Sequence, residues 1–119
     1  MNTYFLLAFA TLLIGAGAYH FINPAPYLKI MPDFLPGQLA NWAGGAAEIV
    51  IGVLMWVPAT RGIGTWAACA LMVAFLPVHV VDLMRERPVI GSKVIAAVRL
   101  VAQFALIYWL YRSAVALTN

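Results

Sequence analysis

The sequence predicts an all-α fold, an antiparallel bundle of four transmembrane helices with a proline-rich lid loop between the first and second helices. Hydrophobic residues make up 65% of the 119 positions and charged residues 9%, whereas about a quarter of the residues in a soluble domain are charged. The apolar residues also gather into four runs of roughly 20, each long enough to cross a hydrocarbon core of about 30 Å as a helix. At this length we expect one domain, spanning residues 1–119.

The four helices are predicted at about residues 3–22, 38–58, 62–84 and 90–111. The first run ends in a small-residue sequence typical of a signal-peptide cleavage site, but no basic residue precedes it, so a retained helix is expected. Small residues such as those from Gly15 to Ala18 indicate that the helices pack closely. In the third run, Pro77 is expected to kink the helix just before His79.

The loop between the first two helices is rich in proline and is predicted to act as a lid. The stretch from His20 to Gly37, HFINPAPYLKIMPDFLPG, cannot be helical throughout, because each proline removes a backbone donor and disfavours helix in the residue before it. It is also too apolar for an ordinary solvated linker. We therefore expect Tyr27, Met31 and Phe34 to pack over the neighbouring helix ends.

Five polar side chains lie inside or at the edge of the apolar spans. A charge at mid-bilayer costs a few kcal/mol, so such a residue is expected to face the bundle interior and to find a partner. At 1.5 Å per residue, Glu48 and Arg99 lie roughly 15 and 13 Å from the loop side, and these similar depths predict a salt bridge. The predicted pocket, which binds a ligand or handles protons, consists of His20, Glu48, His79, Arg99 and Gln103.

Simpler roles for these residues stay open at this point. An Arg–Glu pair inside a small bundle can serve only to fix the helix register. His20 can be an interfacial residue, and this is the role expected for Asn23 and Asp82. Two histidines and a glutamate are suitable metal ligands, but the neighbouring positive charge of Arg99 argues against a metal, and none is predicted.

Composition argues against several classes of function. The formal charge of +3 comes from basic residues scattered along the chain, so nucleic-acid binding is not expected. The single cysteine, Cys69, cannot form an internal disulfide and is interpreted as a small core residue. No nucleotide, haem or flavin motif is present, so no intrinsic cofactor is predicted. A quinone or a lipid-like ligand taken from the membrane is the candidate.

Four stretches of the chain together resemble the DoxX family of membrane proteins. They are HFINPAPYLKIMPDFLP in the loop, AGGAAEIVIGVLMWVPATR in the second helix, FLPVH in the third and RLVAQFALIYWLY in the fourth. The resemblance covers nearly the whole chain and implies a four-helix membrane bundle whose buried polar cluster maps onto the five pocket residues. The chain departs from the family's pattern at His79, where asparagine is frequent, and at Val101, where proline is frequent. The family takes its name from a subunit of a thiosulfate:quinone oxidoreductase, and a distant relative is an acetylcholine-receptor chaperone.

The function predicted from these observations is the binding of a small molecule in a redox-associated, quinone-linked role, by an integral, multi-pass protein of the bacterial inner membrane. Arg99 and His79 are expected to donate to carbonyl oxygens, Glu48 to hold Arg99, and His20 to carry protons under the lid. The alternative is a membrane assembly factor or chaperone that docks on the transmembrane helices of a partner. Both functions need the lipid bilayer, and both are compatible with a homo-oligomer or with a membrane or redox protein as partner. Whether the protein is an enzyme is left open.

Overall fold

The computed structural model describes residues 2–119, and the regular elements in this range are all helices. In chain order they are α1 (Thr3–Ile22), α2 (Ala25–Ile30), α3 (Gly37–Trp56), a short 3₁₀ helix (Pro58–Thr60), α4 (Arg61–Ala74), α5 (Leu76–Met84) and α6 (Lys93–Thr118). The side chains of Asn2 and Ser92 cap the first turns of α1 and α6 by accepting backbone hydrogen bonds. The predicted all-α class is confirmed.

Four segments are long and apolar enough to cross a membrane: Thr3–Ile22, Gly37–Trp56, Pro58–Met84 and Lys93–Thr118. They coincide with the four predicted helices, which supports a multi-pass membrane protein. Each segment also exposes large apolar side chains, as a helix that faces lipid does, and examples from the four in order are Leu12, Val53, Val73 and Val101.

The structure differs from the predicted helix bounds in two places. The last helix, expected at about residues 90–111, begins at Lys93 and continues to Thr118. It begins late because Gly91, with a φ of 138°, makes a turn that suits glycine just before the capping Ser92. The loop between the first two membrane segments contains a short helix, α2, which starts directly after Pro24, whose fixed φ suits the start of a helix.

The third membrane segment is interrupted near its middle. α4 ends at Ala74 and α5 begins at Leu76, with Pro77 in the first turn of α5. Proline has no backbone N–H to continue the helical hydrogen bonds, so the interruption occurs where the kink was expected. As a result His79 lies on a separate short helix.

Helices α1 and α3 have the most extensive contact, α4 packs against α3 and α6, and α5 packs mainly against α6. Glycines bring α1 and α3 together: a Cβ on Gly17 would lie 2.6 Å from the carbonyl oxygen of Gly45, and one on Gly52 would lie 2.8 Å from that of Ala10. These distances are too short for any larger residue. The predicted close packing is thus correct at Gly17, whereas a Cβ on Gly15 would meet open space.

The apolar core is built from the N-terminal part of α1, the C-terminal end of α3, α4 and the C-terminal half of α6. Its buried members are Leu6, Ala10, Leu13, Met55, Ala68, Cys69, Met72 and Leu110. Cys69 is therefore the core residue that the sequence predicted. The buried residues His20, Glu48 and Asp82 each lie closer along their segment to the proline-rich loop than the core residues of that segment do, and we call the part of the bundle that holds them the polar half. Two buried hydroxyl residues, Thr65 and Ser113, lie at the other end, beside the apolar core.

Candidate functional site

A cavity of about 190 Å³ lies in the polar half of the bundle, between residues of α1, α2, α3, α5 and α6 and the α4–α5 junction. A volume of this size suits one small ring. Polar and apolar side chains both line it: His20, Tyr27, Ile30, Met31, Glu48, Phe75, Val78, His79 and Arg99.

His20, in the last turn of α1, is held by two buried side chains of α3. The Asn41 Nδ2 atom donates to the main-chain carbonyl of His20 at 3.0 Å, which turns the amide oxygen of Asn41 toward His20 Nδ1 at 2.8 Å. An amide oxygen can only accept, so the hydrogen-bond network assigns a hydrogen to Nδ1. The other ring nitrogen, Nε2, lies 2.9 Å from Glu48 Oε1.

The His20–Glu48 contact requires one shared proton. Two bare acceptors would repel each other, and two hydrogens would collide, so the proton lies either on Nε2 or on the carboxyl group. The first arrangement is an imidazolium with a carboxylate, and the second is a neutral imidazole with a carboxylic acid. The pair carries no net charge in either arrangement, which suits a buried position in a membrane-spanning bundle.

Tyr27, from the short helix α2, covers the His20 ring. The two rings stack with their centroids 3.6 Å apart and an angle of 18° between their planes. The Tyr27 hydroxyl donates to the Ala16 carbonyl at 3.4 Å, and its ring meets that of Tyr19 edge-to-face at 6.1 Å. Burial raises the pKa of Tyr27, and the nearby Glu48 and Tyr19 add to the rise, so this hydroxyl stays protonated near neutral pH.

Asp82, on α5, is the centre of a second buried cluster and is 0% exposed. It accepts from Arg85 Nη1 at 2.9 Å, from Arg99 Nη2 at 3.0 Å, and from the backbone N–H groups of Val89 and Ile90 at 2.7 and 3.4 Å. This carboxylate thus joins α5 to α6 and to the connection between them. It also fixes the Arg99 guanidinium against the cavity wall.

Arg85 connects the same cluster to the proline-rich loop. While Nη1 of Arg85 pairs with Asp82, Nη2 donates to the main-chain carbonyls of Ile30 at 3.1 Å and Met31 at 3.3 Å. These carbonyls are at the C-terminal end of α2, where a cation is favourable. The loop residues that line the cavity are therefore attached to α5 by a charged side chain.

Two buried nitrogen atoms that belong to cavity-lining residues have no hydrogen-bond partner among the side chains and backbone that the structure describes. They are His79 Nδ1 and Arg99 Nε. The local charges are also unequal, since the positive Arg85 and Arg99 share the single carboxylate of Asp82. The wall formed by α5 and α6 therefore offers hydrogen-bonding capacity and a surplus positive charge.

The whole of this site lies within one family match. Residues 9–114 match a family described as Domain of unknown function (DUF8561). The chain belongs to this family. The match includes every residue that lines the cavity. No curated protein and no solved structure matches the chain, and the resemblance to the DoxX family stays a prediction.

In this DUF8561 chain, His20, Glu48, His79 and Arg99 of the predicted pocket all line the cavity, whereas Gln103 does not. Gln103 is buried elsewhere on α6 and donates to the main-chain carbonyl of Met72 at 2.9 Å, so it joins α6 to α4.

Two of the three predicted lid residues, Tyr27 and Met31, line the cavity. The third, Phe34, is 70% exposed and makes no part of the cavity wall. Phe34 follows Pro32 in the segment between α2 and α3, beyond the loop carbonyls that Arg85 holds.

The predicted salt bridge between Glu48 and Arg99 is wrong. Glu48 pairs with His20 at 2.9 Å, and Arg99 pairs with Asp82 at 3.0 Å. Asp82 was expected to be interfacial, but the guanidinium groups and backbone amides around it satisfy its charge and allow complete burial.

Asn41 and the structural role of Asp82 were not predicted from the sequence, although helical spacing indicates both. Asn41 precedes Glu48 by two helical turns and so lies on the same face of α3. Asp82 lies between His79 and Arg85 at intervals of three residues, which places all three on one side of the chain. A test of which polar residues share a face would have found them.

Proposed function

We propose that this protein is a multi-pass membrane protein that binds a small molecule with oxygen acceptors, of the quinone type, in the cavity. The observation that carries the proposal is the pair of buried, unpartnered nitrogens, His79 Nδ1 and Arg99 Nε, within the described part of the chain. A buried hydrogen-bonding nitrogen without a partner costs about 1–3 kcal/mol, and a ligand atom that hydrogen-bonds to it recovers that cost. The cavity volume of about 190 Å³ suits a single ring.

In this proposal each wall of the cavity has its own role. Arg99 Nε donates to one ligand oxygen, and the surplus positive charge of the Asp82 cluster favours a negative or strongly polarised oxygen. His79 Nδ1 meets a second polar atom. The His20–Glu48 pair, on the opposite wall, shares one proton and is uncharged while it holds it. Transfer of that proton to a ligand oxygen leaves a neutral imidazole and a carboxylate, so the negative charge that the ligand oxygen loses is taken up by the pair.

The proposal includes the antiparallel arrangement of the four membrane segments and the role of the proline-rich loop as a lid. The stacking of Tyr27 on His20 supports the lid, as does the attachment of Ile30 and Met31 to Arg85. Short connections between successive segments support the antiparallel order.

A likeness to the DoxX family and its redox-associated setting also belongs to the proposal. It is supported by the quoted stretches and by the position of four of the five mapped residues in the cavity wall. With it we propose residence in the bacterial inner membrane, and a homo-oligomer or a redox partner in the membrane. The protein's role as an assembly factor or chaperone is the outcome that remains if the cavity binds nothing.

Native mass spectrometry of the gently extracted protein tests the binding function. We expect the wild type to retain a quinone or a lipid-like molecule. The variant Arg99→Lys keeps a positive charge for Asp82 but loses the Nε donor, so it should retain much less of that molecule. Arg112→Lys is the matched control, because Arg112 is exposed on the same helix and contacts only the Tyr108 side chain among its described partners.

The thermal stability of the three proteins is measured in the same detergent, so that a loss of ligand can be separated from a loss of fold. Retention of the same mass by Arg99→Lys and by the wild type would contradict a ligand on Arg99. Absence of any ligand from all three, and no binding of added tetramethyl-1,4-benzoquinone, would contradict the binding function and favour the docking alternative.

A further inference from the structure

An apolar groove of about 340 Å³ lies on the side of the bundle between α3 and the α4–α5 segment. All the residues that line it are apolar. One side is formed along α3 by Ala40, Ala43, Gly44 and Ala47, and the facing side includes Leu71 and Ala74. The α3 positions recur at the spacing of one helix face, and their small side chains leave the space that forms the groove.

The groove adjoins the polar cavity. Met31, Phe75 and Val78 line both spaces. At Gly44, an added Cβ would lie 3.6 Å from His20 Cε1 and 3.9 Å from a ring carbon of Phe75, so only the thickness of this glycine separates the groove from the His20 ring. The two spaces meet at Phe75, so a molecule that spans both must place its chain beside this ring.

We propose that the groove holds the hydrocarbon tail of the molecule whose oxygen-bearing head occupies the cavity. This inference rests on the proposed function and names the ligand class, an amphiphile with a one-ring head and an apolar tail. The cavity has room for the ring but not for a chain, and the groove offers the tail a wholly apolar lining beside it. Because the groove lies on a side of the bundle that faces lipid, the ligand enters sideways from the bilayer.

The contribution of the tail is expected to be modest. A tail that moves from lipid into the groove leaves one apolar environment for another, so the hydrophobic effect contributes little. What remains is van der Waals contact with the groove wall, together with the high local concentration of a tail that is linked to a bound head. We expect about a tenfold gain in affinity over the same ring without a tail.

The test compares two one-ring probes, tetramethyl-1,4-benzoquinone without a tail and trimethyl-1,4-benzoquinone with a four-isoprene tail in place of the fourth methyl group, in phosphatidylcholine nanodiscs. Occupancy is measured by native mass spectrometry as a function of the mole fraction of probe in the disc. Ala43→Phe fills the groove, and Ala74→Phe fills it from the facing side should the first variant fold poorly. Ala46→Phe is the control, because Ala46 is exposed on the same helix outside the groove.

We expect the wild type and Ala46→Phe to be half-occupied at about a tenfold lower mole fraction of the tailed probe than of the tailless one. In Ala43→Phe that difference should disappear, while binding of the tailless ring is unchanged. Equal binding of both probes by the wild type, or equal weakening of both by Ala43→Phe, overturns the inference. Ordinary lipid chains would then occupy the groove, and the proposed function would still stand. If neither probe binds to the wild type, the proposed function and this inference fall together.

Discussion

The substitution His20→Phe tests the shared-proton pair, because the His20 ring satisfies two buried polar groups at once. Phenylalanine keeps the ring but removes both nitrogens, so Asn41 Oδ1 and the Glu48 carboxyl group each lose a partner. A buried polar group without a partner costs about 1–3 kcal/mol, and breaking a buried ion pair by removing one member costs about 3–5 kcal/mol. Glu48 can limit the loss by taking up a proton. We therefore expect the free energy of unfolding to fall by about 3–5 kcal/mol.

Glu48→Gln should have a much smaller effect, because it removes the exchangeable proton and keeps the hydrogen bond. With Nδ1–H of His20 donating to Asn41, the neutral ring presents Nε2 as an acceptor, and a glutamine amide can donate to it. No charge is left unpaired in this variant. The expected loss of stability is about 1 kcal/mol or less.

Reversible unfolding in mixed detergent micelles, followed by far-ultraviolet circular dichroism, measures these free energies. Tyr108→Phe is the control, since Tyr108 is 61% exposed and its loss should change stability by no more than about 0.5 kcal/mol. Equal losses for His20→Phe and Glu48→Gln would refute the proton assignment. A loss below about 1 kcal/mol for His20→Phe would show that the ring does not satisfy the two buried groups.

Three further predictions concern the residues around the pair. Asp82→Asn removes the charge that holds two partly exposed guanidinium groups, so the same unfolding measurement should show a loss of about 2–4 kcal/mol, and an unchanged stability would contradict this role. Gly45→Ala places a Cβ 2.7 Å from that of His20 and should cost about 1–3 kcal/mol, whereas Gly15→Ala, with open space around it, should be neutral or stabilising by up to about 1 kcal/mol. Equal changes of stability in Gly45→Ala and Gly15→Ala would argue against the close approach of α1 and α3 at Gly45. Tyr27→Ala opens the cavity and should speed the dissociation of bound tetramethyl-1,4-benzoquinone in stopped-flow measurements, whereas Tyr27→Phe keeps the stacked ring and should match the wild type; equal rates in both variants would argue against the lid.

The number and approximate positions of the membrane segments could be predicted because a run of about 20 apolar residues has few other stable arrangements. The end of α6 could not. The prediction ended the helix at about residue 111, where the apolar run ends, and Arg112 is the next residue. In the structure Arg112 is exposed and donates to the Tyr108 hydroxyl one turn earlier, so its charge is accommodated at the surface while the helix continues to Thr118.

The partners of the buried charges could not be predicted from depth alone, because depth does not say which neighbour a helix face meets. The close approach of α1 and α3 decides this for Glu48. A Cβ on Gly45 would lie 2.7 Å from that of His20, so the two backbones are nearest at the level of the histidine. Glu48 follows Gly45 by one helical turn on the same face, and it therefore meets His20 rather than Arg99.

The corrected pairing changes what the cavity can do. A salt bridge between Glu48 and Arg99 would favour the ionised carboxylate and leave it unable to take up a proton easily. Paired with His20 instead, Glu48 shares a proton whose position changes without any change in the net charge of the pair. Arg99, held by Asp82, keeps its Nε free of protein partners in the described chain and lines the same cavity. A ligand oxygen held by Arg99 would then face the His20–Glu48 pair. The proton of this pair is not tied up in a salt bridge with Arg99. If the proposed ligand binds, different groups would therefore hold its oxygen and exchange its proton, and this depends on Asp82, the residue that the sequence alone placed at the interface.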